Sequence, residues 1–564
     1  MLSALYDYAV RNELIMPAGC VRRSIKAYIS LDAEGDLIGL EMTDGQETAV
    51  CPDIGSLANG ADKSNVLAEK LSIVMPEKTN RKSRFFLAAL RSAAGKEPRV
   101  SACINALTDA DTAAQILSEC RRNKVKKTDR VSFRVNGVSL MEMPAVMDWW
   151  QTFRHSFDRD DNEMARCMIT GKLTAAAATL SPIQGLSAVG GHARGDSLIC
   201  FDKNAFCSYG LRQSANAPVS EEAFAAVKSA LDMLLADAPI LAGMKFVHWY
   251  DRPAAGSDAL CDLLDGTDAD GSVTRGKTEE PDKYYILLLT GVGGRVMIRR
   301  YAHGSYQAMQ SNLAQWRSDL EMTDWNGSGP AKLNKLTAML MRLLKRQKAD
   351  KDPFRRMNRE LSGLTPAILS AIITGGPLPG AVAVRALAYI RSMMTDTNEN
   401  AKMPPIPDAM CCQWLKAWLL REDRRNNKEE ADMVYYNEKH KEPAYHCGAM
   451  VAVYGEIQHI AMPDVNVGVI QRCYAAASQT PALVLGQMAR LSTFHLSKIA
   501  SRGIALHYEE LLDKVAVAMG DQVPDALDLE QQAYFALGCR QMYAEINRFR
   551  HDSRARKLAA GSEV

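Results

Sequence analysis

Residues 167–224 read CMITGKLTAAAATLSPIQGLSAVGGHARGDSLICFDKNAFCSYGLRQSANAPVSEEAF, a glycine-rich loop, an apolar run with the character of a strand, and a second polar loop. Gly185, Gly190, Gly191 and Gly195 let backbone come close to a ligand, and His192 and Arg194 give the loop a positive side. The same composition also suits a surface connector between strands. No nucleophile–base pair and no metal-ligand spacing accompanies it, so the stretch reads as something that holds rather than cuts.

Outward from this stretch the hydrophobic period changes twice. On the N-terminal side, 26–31 and 35–42 alternate as strands around a turn at 32–36, 83–91 has a helical apolar face, and 131–135 returns to strand before the tight-turn pair Asn136-Gly137. On the C-terminal side, 246–250 and 284–289 are β-rich runs around an Asp/Gly-rich loop at 256–282. Beyond Gly304, amphipathic helices are predicted over 331–348, 366–374, 381–394, 413–421, 445–460, 482–502 and 529–557, with 421–430 as a charged linker. The fold class is α+β, with domains expected at 1–145 (mixed α/β), 146–304 (β-rich), 305–425 (helical) and 433–564 (a helical bundle).

The 564 residues exceed what one core supports, and 68 basic against 66 acidic residues leave no overall field to attract nucleic acid. Binding must come from local patches. Thirteen cysteines, some in apolar settings such as Cys103 and Cys200, read as buried thiols of a reducing compartment, and no run is long enough to cross a membrane. With no signal peptide the expected location is cytoplasmic. No zinc spacing, Walker loop, H-E-x-x-H or G-x-S-x-G occurs, so neither cofactor nor metal is expected. Six of the ten histidines lie between His440 and His551 without i, i+4 pairs, which suits packing more than ligation. Trp149 and Trp150, beside Met147 and Phe153, read as core rather than as a stacking platform.

Two basic clusters stand out. Residues 78–84 carry Lys78, Arg81, Lys82 and Arg84; residues 121–134 carry seven Lys/Arg against one Asp, among them Arg121, Arg122, Lys124, Lys126 and Lys127. Such density matches a track for nucleic-acid phosphates, and a solvated face is the other reading; two clusters in one domain favour the track once taken with the resemblance given next.

The motifs P-I-x-G (182–185), S-L-I-C-F-D-x-x-A-F-x-S-Y-G (197–210) and N-A-P-V-S-E-E (216–222) resemble the signature of the large subunit of the type I-C CRISPR Cascade. Leu2–Ala9, 294–301, 312–316, 361–375 and 475–482 are similar to other parts of that family, so the likeness covers essentially the whole chain. It is loosest over 78–127. The resemblance implies a non-catalytic subunit that recognises the protospacer-adjacent motif in duplex DNA, opens the strands for guide RNA pairing and holds the displaced single strand. Implied partners are the guide RNA, target double-stranded DNA, the Cascade backbone subunits and a helicase-nuclease. The other class left open is a nuclease with a spatially assembled His/Asp site.

The loop 59–65 looks like the family's D-N-x-x-Y-V-L-G element, here ADKSNVLAEK without its tyrosine. Asn pairs bidentately with adenine and Lys donates to guanine, so Lys63, Ser64 and Asn65, with Asn80 second, are the candidate motif readers. A helix N-cap at Asp62 or Ser64 is the alternative. Gln184, Ser187, His192 and Arg194 are candidate loop contacts to backbone or displaced strand. The C-terminal block resembles the small subunit of related complexes, which in type I-C systems comes from internal translation. Lys428-Glu429-Glu430 must be encoded by a purine run a few nucleotides before the Met433 codon, so Met433 is the expected internal start, with Met410 and Met450 as competitors. The product 433–564 holds 13 Lys/Arg against 14 Asp/Glu. Strand contacts there fall to Arg540, Arg548, Arg550, Arg554 and Arg556.

Overall fold

The structure is a computed structural model. It describes the chain except residues 18, 45–47, 77, 79, 158–163, 178–179, 202, 212, 255, 268–279, 328, 348, 398–403, 431–432, 522 and 562–564, and except the side chains of 56, 59, 204, 213, 214 and 553–561. The chain forms two compact units: 1–237 with 291–297, and 238–290 with 298–564.

In the first unit, strand Ala27–Leu31 is central because both its faces are apolar and every residue is buried. It pairs antiparallel with Leu37–Met42 across a turn in which Asp32 Oδ1 accepts from the N–H groups of Glu34, Gly35 and Asp36. Its other edge pairs parallel with Arg130–Val135, and the crossover between them carries the helices Arg81–Ala94, Val100–Thr108 and Ala110–Arg122. Glu69–Lys70 and Val138–Ser139 complete this sheet. Asn136 and Gly137 both have positive φ, as the predicted tight turn requires.

The helix Pro144–Arg154 runs across the expected boundary at 145/146, and its Val146, Trp149 and Trp150 are buried in the N-terminal core. Trp150 Nε1 donates to Gly19 O at 3.0 Å and Trp149 Nε1 to Ser92 Oγ at 3.0 Å, so both rings are core as predicted. The run 198–201 is not a strand. Only Asp196 and Ser197 pair, in single bridges to Ile183 and Arg295, and Cys200 is exposed, not buried. The strands described in this region are the short antiparallel pair Met164–Arg166 and Leu173–Ala175 and a sheet at 240–305.

Apart from the hairpin tip 291–297, which is counted with the first unit, a four-stranded sheet, Ile240–Leu241, Met244–Tyr250, Lys283–Val292 and Arg295–Ser305 in that order, belongs to the second unit and is followed by helices to the C-terminal end of the described chain. Its Phe246, Ile286 and Leu288 join one core that extends through Trp316, Trp414, Tyr445 and Phe535 to Ile546. The predicted helix 331–348 shrinks to Leu336–Met341, because Ala331 N pairs with Met322 O at 2.7 Å and holds the preceding segment extended. The expected charged linker is mostly helix. Ala409–Arg425 continues through it, with Arg421 and Asp423 buried. Helices before and after 426–432 share the same core, so packing shows no gap there; Ala431 and Asp432 lie outside the described residues.

Candidate nucleic-acid interface

The 58–65 loop and the first basic cluster form one surface. Lys82 Nζ donates to Ala58 O at 2.7 Å, Ser64 Oγ donates to Lys82 O at 3.2 Å, and Arg81 pairs with Asp62 at 2.9 Å. Asn80 caps the helix Arg81–Ala94: its side chain accepts from Ser83 N while Ser83 Oγ accepts from Asn80 N. Lys78, Asn80, Arg81 and Arg84 are exposed. Lys63 is partly exposed, its Nζ 4.3 Å from the centre of the Phe157 ring.

Ser64 and Asn65 are not at this surface. Both are buried. Asn65 Oδ1 accepts from Ile54 N at 3.2 Å, and Glu69 Oε2 accepts from both Asn65 N and Nδ2 at 3.1 Å. Spent in this way, their polar atoms shape the loop from beneath, contrary to the expectation that they face bases.

The second cluster reaches the same neighbourhood. Ser72 N donates to Lys127 O at 3.1 Å and Leu71 N to Asp129 O at 2.9 Å, so the 126–129 turn is tied to the start of the helix Leu71–Val74, whose end opens into the first cluster's loop. Arg121 and Arg122 close the helix Ala110–Arg122, where cations suit its negative end. Arg121, Arg122, Lys124, Lys126 and Lys127 are all exposed; Arg122 pairs with Glu119 at 3.1 Å.

The glycine-rich loop is anchored, not loose. Buried Asp196 accepts from His192 N at 3.1 Å, and Ser197 N donates to Gly294 O at 2.8 Å. A Cβ on Gly190 would sit 2.6 Å from Gly291 O, and one on Gly191 would sit 2.2 Å from Asp196 Oδ2, so neither position admits a side chain. Gln184, Ser187, His192 and Arg194 project from this scaffold as exposed residues. Asp202, inside the second motif, lies outside the described residues.

Of the C-terminal arginines, Arg540 is buried, donating to Pro407 O at 2.7 Å and pairing with Asp324 at 3.5 Å, so it faces no solvent. Arg550 pairs with buried Glu456, and Arg548 pairs with Glu545 at 2.7 Å on the surface. The side chains of Arg554 and Arg556 lie outside the described residues. Met433 is buried and its carbonyl accepts from Gln541 Nε2.

Sequence spacing missed one set of donors. His248, Asp258 and Cys261 bring ligand atoms within 4.8 Å of one another, an arrangement able to hold a metal ion. Asp258 caps the helix Ala259–Asp265, accepts from Tyr250 Oη at 2.7 Å and pairs with His248 Nε2 at 2.7 Å. Burial alone would lower the His248 pKa; hydrogen bonds to Asp258 and Cys261 outweigh it and raise it to about 9. Burial conversely raises Asp258, but His248 and the cap hold it at about 2. The result is a satisfied ion pair. Among the described residues no helix is long and apolar enough to cross a membrane.

No curated protein matches the chain. The family model for CRISPR-associated protein (Cas_Csd1) matches residues 2–544, nearly the full length. The chain therefore belongs to the Csd1 family of CRISPR-associated proteins and is a type I-C Cascade large subunit.

Proposed function

We propose that this subunit reads the protospacer-adjacent motif in duplex DNA, opens the duplex for guide RNA and steadies the displaced strand, without cutting either. One observation carries the reading: two basic clusters flank the single short helix Leu71–Val74. A duplex lying along them would meet phosphate contacts from Lys78, Arg81, Arg84, Arg121, Arg122, Lys124, Lys126 and Lys127. Lys63 and Asn80 take the reading role, with Ser64 and Asn65 fixing the loop that presents them. Gln184, Ser187, His192 and Arg194 meet backbone or displaced strand. The remaining Cascade subunits and a helicase-nuclease complete the partner set. Binding of motif-bearing and motif-free duplexes by the purified complex tests this; equal affinity for both ends the motif-reading role.

A second product, 433–564, starts at Met433 and serves as the small subunit, using Arg548, Arg550, Arg554 and Arg556 toward the strand. The alternative, a nuclease, is favoured only by the His248–Asp258 pair. Cleavage of DNA or guide precursor with magnesium, lost on His248→Ala, would establish it.

A further inference from the structure

A third run of basic residues holds more of them than either cluster above. Residues 342–359, RLLKRQKADKDPFRRMNR, hold eight Lys/Arg against two Asp. Residues 349–352 lead into the helix Pro353–Leu361, and beside them lies an open hollow of about 450 Å³ lined by Asp350, Lys351, Asp352, Arg355, Arg356 and Arg359. Four cations face two carboxylates, and each carboxylate is engaged. Asp352 Oδ1 accepts from Arg355 N at 2.9 Å, capping the helix, and Asp350 pairs with Arg356 at 3.2 Å. Arg356 is held in the wall: Nη2 also donates to Lys345 O at 2.8 Å, while Nε and Nη1 are buried and meet no acceptor among the described residues. Arg355 and Arg359, one helical turn apart on the same face, are exposed. Arg359 pairs with its neighbour Glu360 at 3.2 Å, with 75% of its side chain in solvent.

A hollow of this size suits one nucleotide-sized group, not a duplex. The exposed guanidinium forks at its rim match the oxygens of a phosphodiester. Beside Arg355, Phe354 exposes 57% of its surface, a ring available to stack on a base.

We infer that this hollow is a phosphate subsite for a single nucleic-acid strand, with Arg355 and Arg359 gripping the backbone and Phe354 stacking on an adjoining base. The inference rests on the reading of the chain as a nucleic-acid-binding subunit, but uses other residues than the duplex surface. The test measures anisotropy of fluorescein-labelled oligothymidylate, oligouridylate and motif duplex with the full-length protein over a salt series.

R355E/R359E should weaken single-strand binding at least tenfold and flatten its log–log salt slope by about 1.4, two contacts at roughly 0.7 each, with duplex affinity within twofold. Phe354→Ala should weaken it severalfold at unchanged slope. Loss with thymidylate alone assigns a DNA strand, loss with uridylate alone an RNA strand, and loss with both their common backbone. Unchanged affinity for both oligonucleotides in the folded double variant overturns the subsite. If R81E/R84E leaves motif-duplex binding intact while R355E/R359E abolishes single-strand binding, the duplex reading fails and this one stands.

Discussion

Gly448 and Gly538 face each other where the helices Pro443–Ala461 and Leu529–Gly561 cross. A Cβ on Gly448 would lie 1.9 Å from Phe535 O, and one on Gly538 would lie 1.9 Å from Tyr445 O. The two backbones touch through these positions, so the contact is rigid and neither neighbour is a side chain that can turn away. Gly538→Ala should destabilise the second unit by about 3 kcal/mol or more, read from chemical denaturation; a loss under about 1 kcal/mol would mean the helices separate without penalty.

Asp319 and Arg421 form a fully buried pair at 2.9 Å, with Arg424 adding 2.6 Å to the other oxygen. Arg421 also donates to Ala371 O and Gly376 O and lies over Trp316. Removing the carboxylate strands a guanidinium among apolar groups. Asp319→Asn should cost roughly 3–5 kcal/mol, and the paired replacement Asp319→Leu with Arg421→Met should recover much of it in a melting experiment.

His440 is buried against Tyr445 and Tyr534, and burial, aided by His446, pushes its pKa down to about 4; burial also lowers His446. Both pKa values in the folded state lie below the unfolded value near 6.5, so the folded protein binds fewer protons between them. The stability this gives is present above pH 6.5 and drains away as pH falls toward 4, by up to roughly 3 kcal/mol for His440. His440→Phe should flatten that acid limb of the pH–stability curve; an unchanged limb would place the acid sensitivity elsewhere.

Asn65→Ala should act on folding rather than on reading. It leaves Ile54 N without its acceptor and takes the side-chain amide donor from Glu69, a loss of about 1–3 kcal/mol in stability, and should weaken motif and non-motif duplex alike. Lys63→Ala should instead lose motif preference by about 1–3 kcal/mol with the melting temperature unchanged. Selective loss of motif binding in folded Asn65→Ala would return that residue to the reading set.

Expression with a C-terminal tag should yield a short product whose mass matches 433–564 and which vanishes when the Met433 codon is changed. A product that persists after that change starts elsewhere.

Local chemistry carried the elements with strong periodicity. Strands 26–31 and 131–135, the Asn136-Gly137 turn and the long C-terminal helices all lie where their patterns point, because each is decided within a few residues. Tertiary pairing decided the rest. Ala331 trades a helical bond for Met322 O, and 198–201 finds no strand partner although its residues favour one. Burial of charge was the least legible feature. Arg421, Asp423 and Arg540 look solvated in a polar run, and only neighbours distant in sequence reveal that they are inside. At the candidate interface the two basic clusters could be counted, but not that Asn65 turns inward. The run 342–359 is countable too, with eight basic residues against four in 78–84, but they are spread over a longer stretch whose helical period masks them.

The hairpin tip 291–297 has a consequence for the order in which the protein comes into being. Gly190 and Gly191 rest on Gly291, and Ser197 bonds to Gly294, so the first unit is finished by residues made after residue 237. A ribosome moving at about 5–20 residues per second needs roughly 3–12 seconds to add them, during which the glycine-rich loop has no floor. A nascent chain stopped at 237 would hold the basic clusters but not the finished loop, and the first unit acquires its last piece only when part of the second has been synthesised.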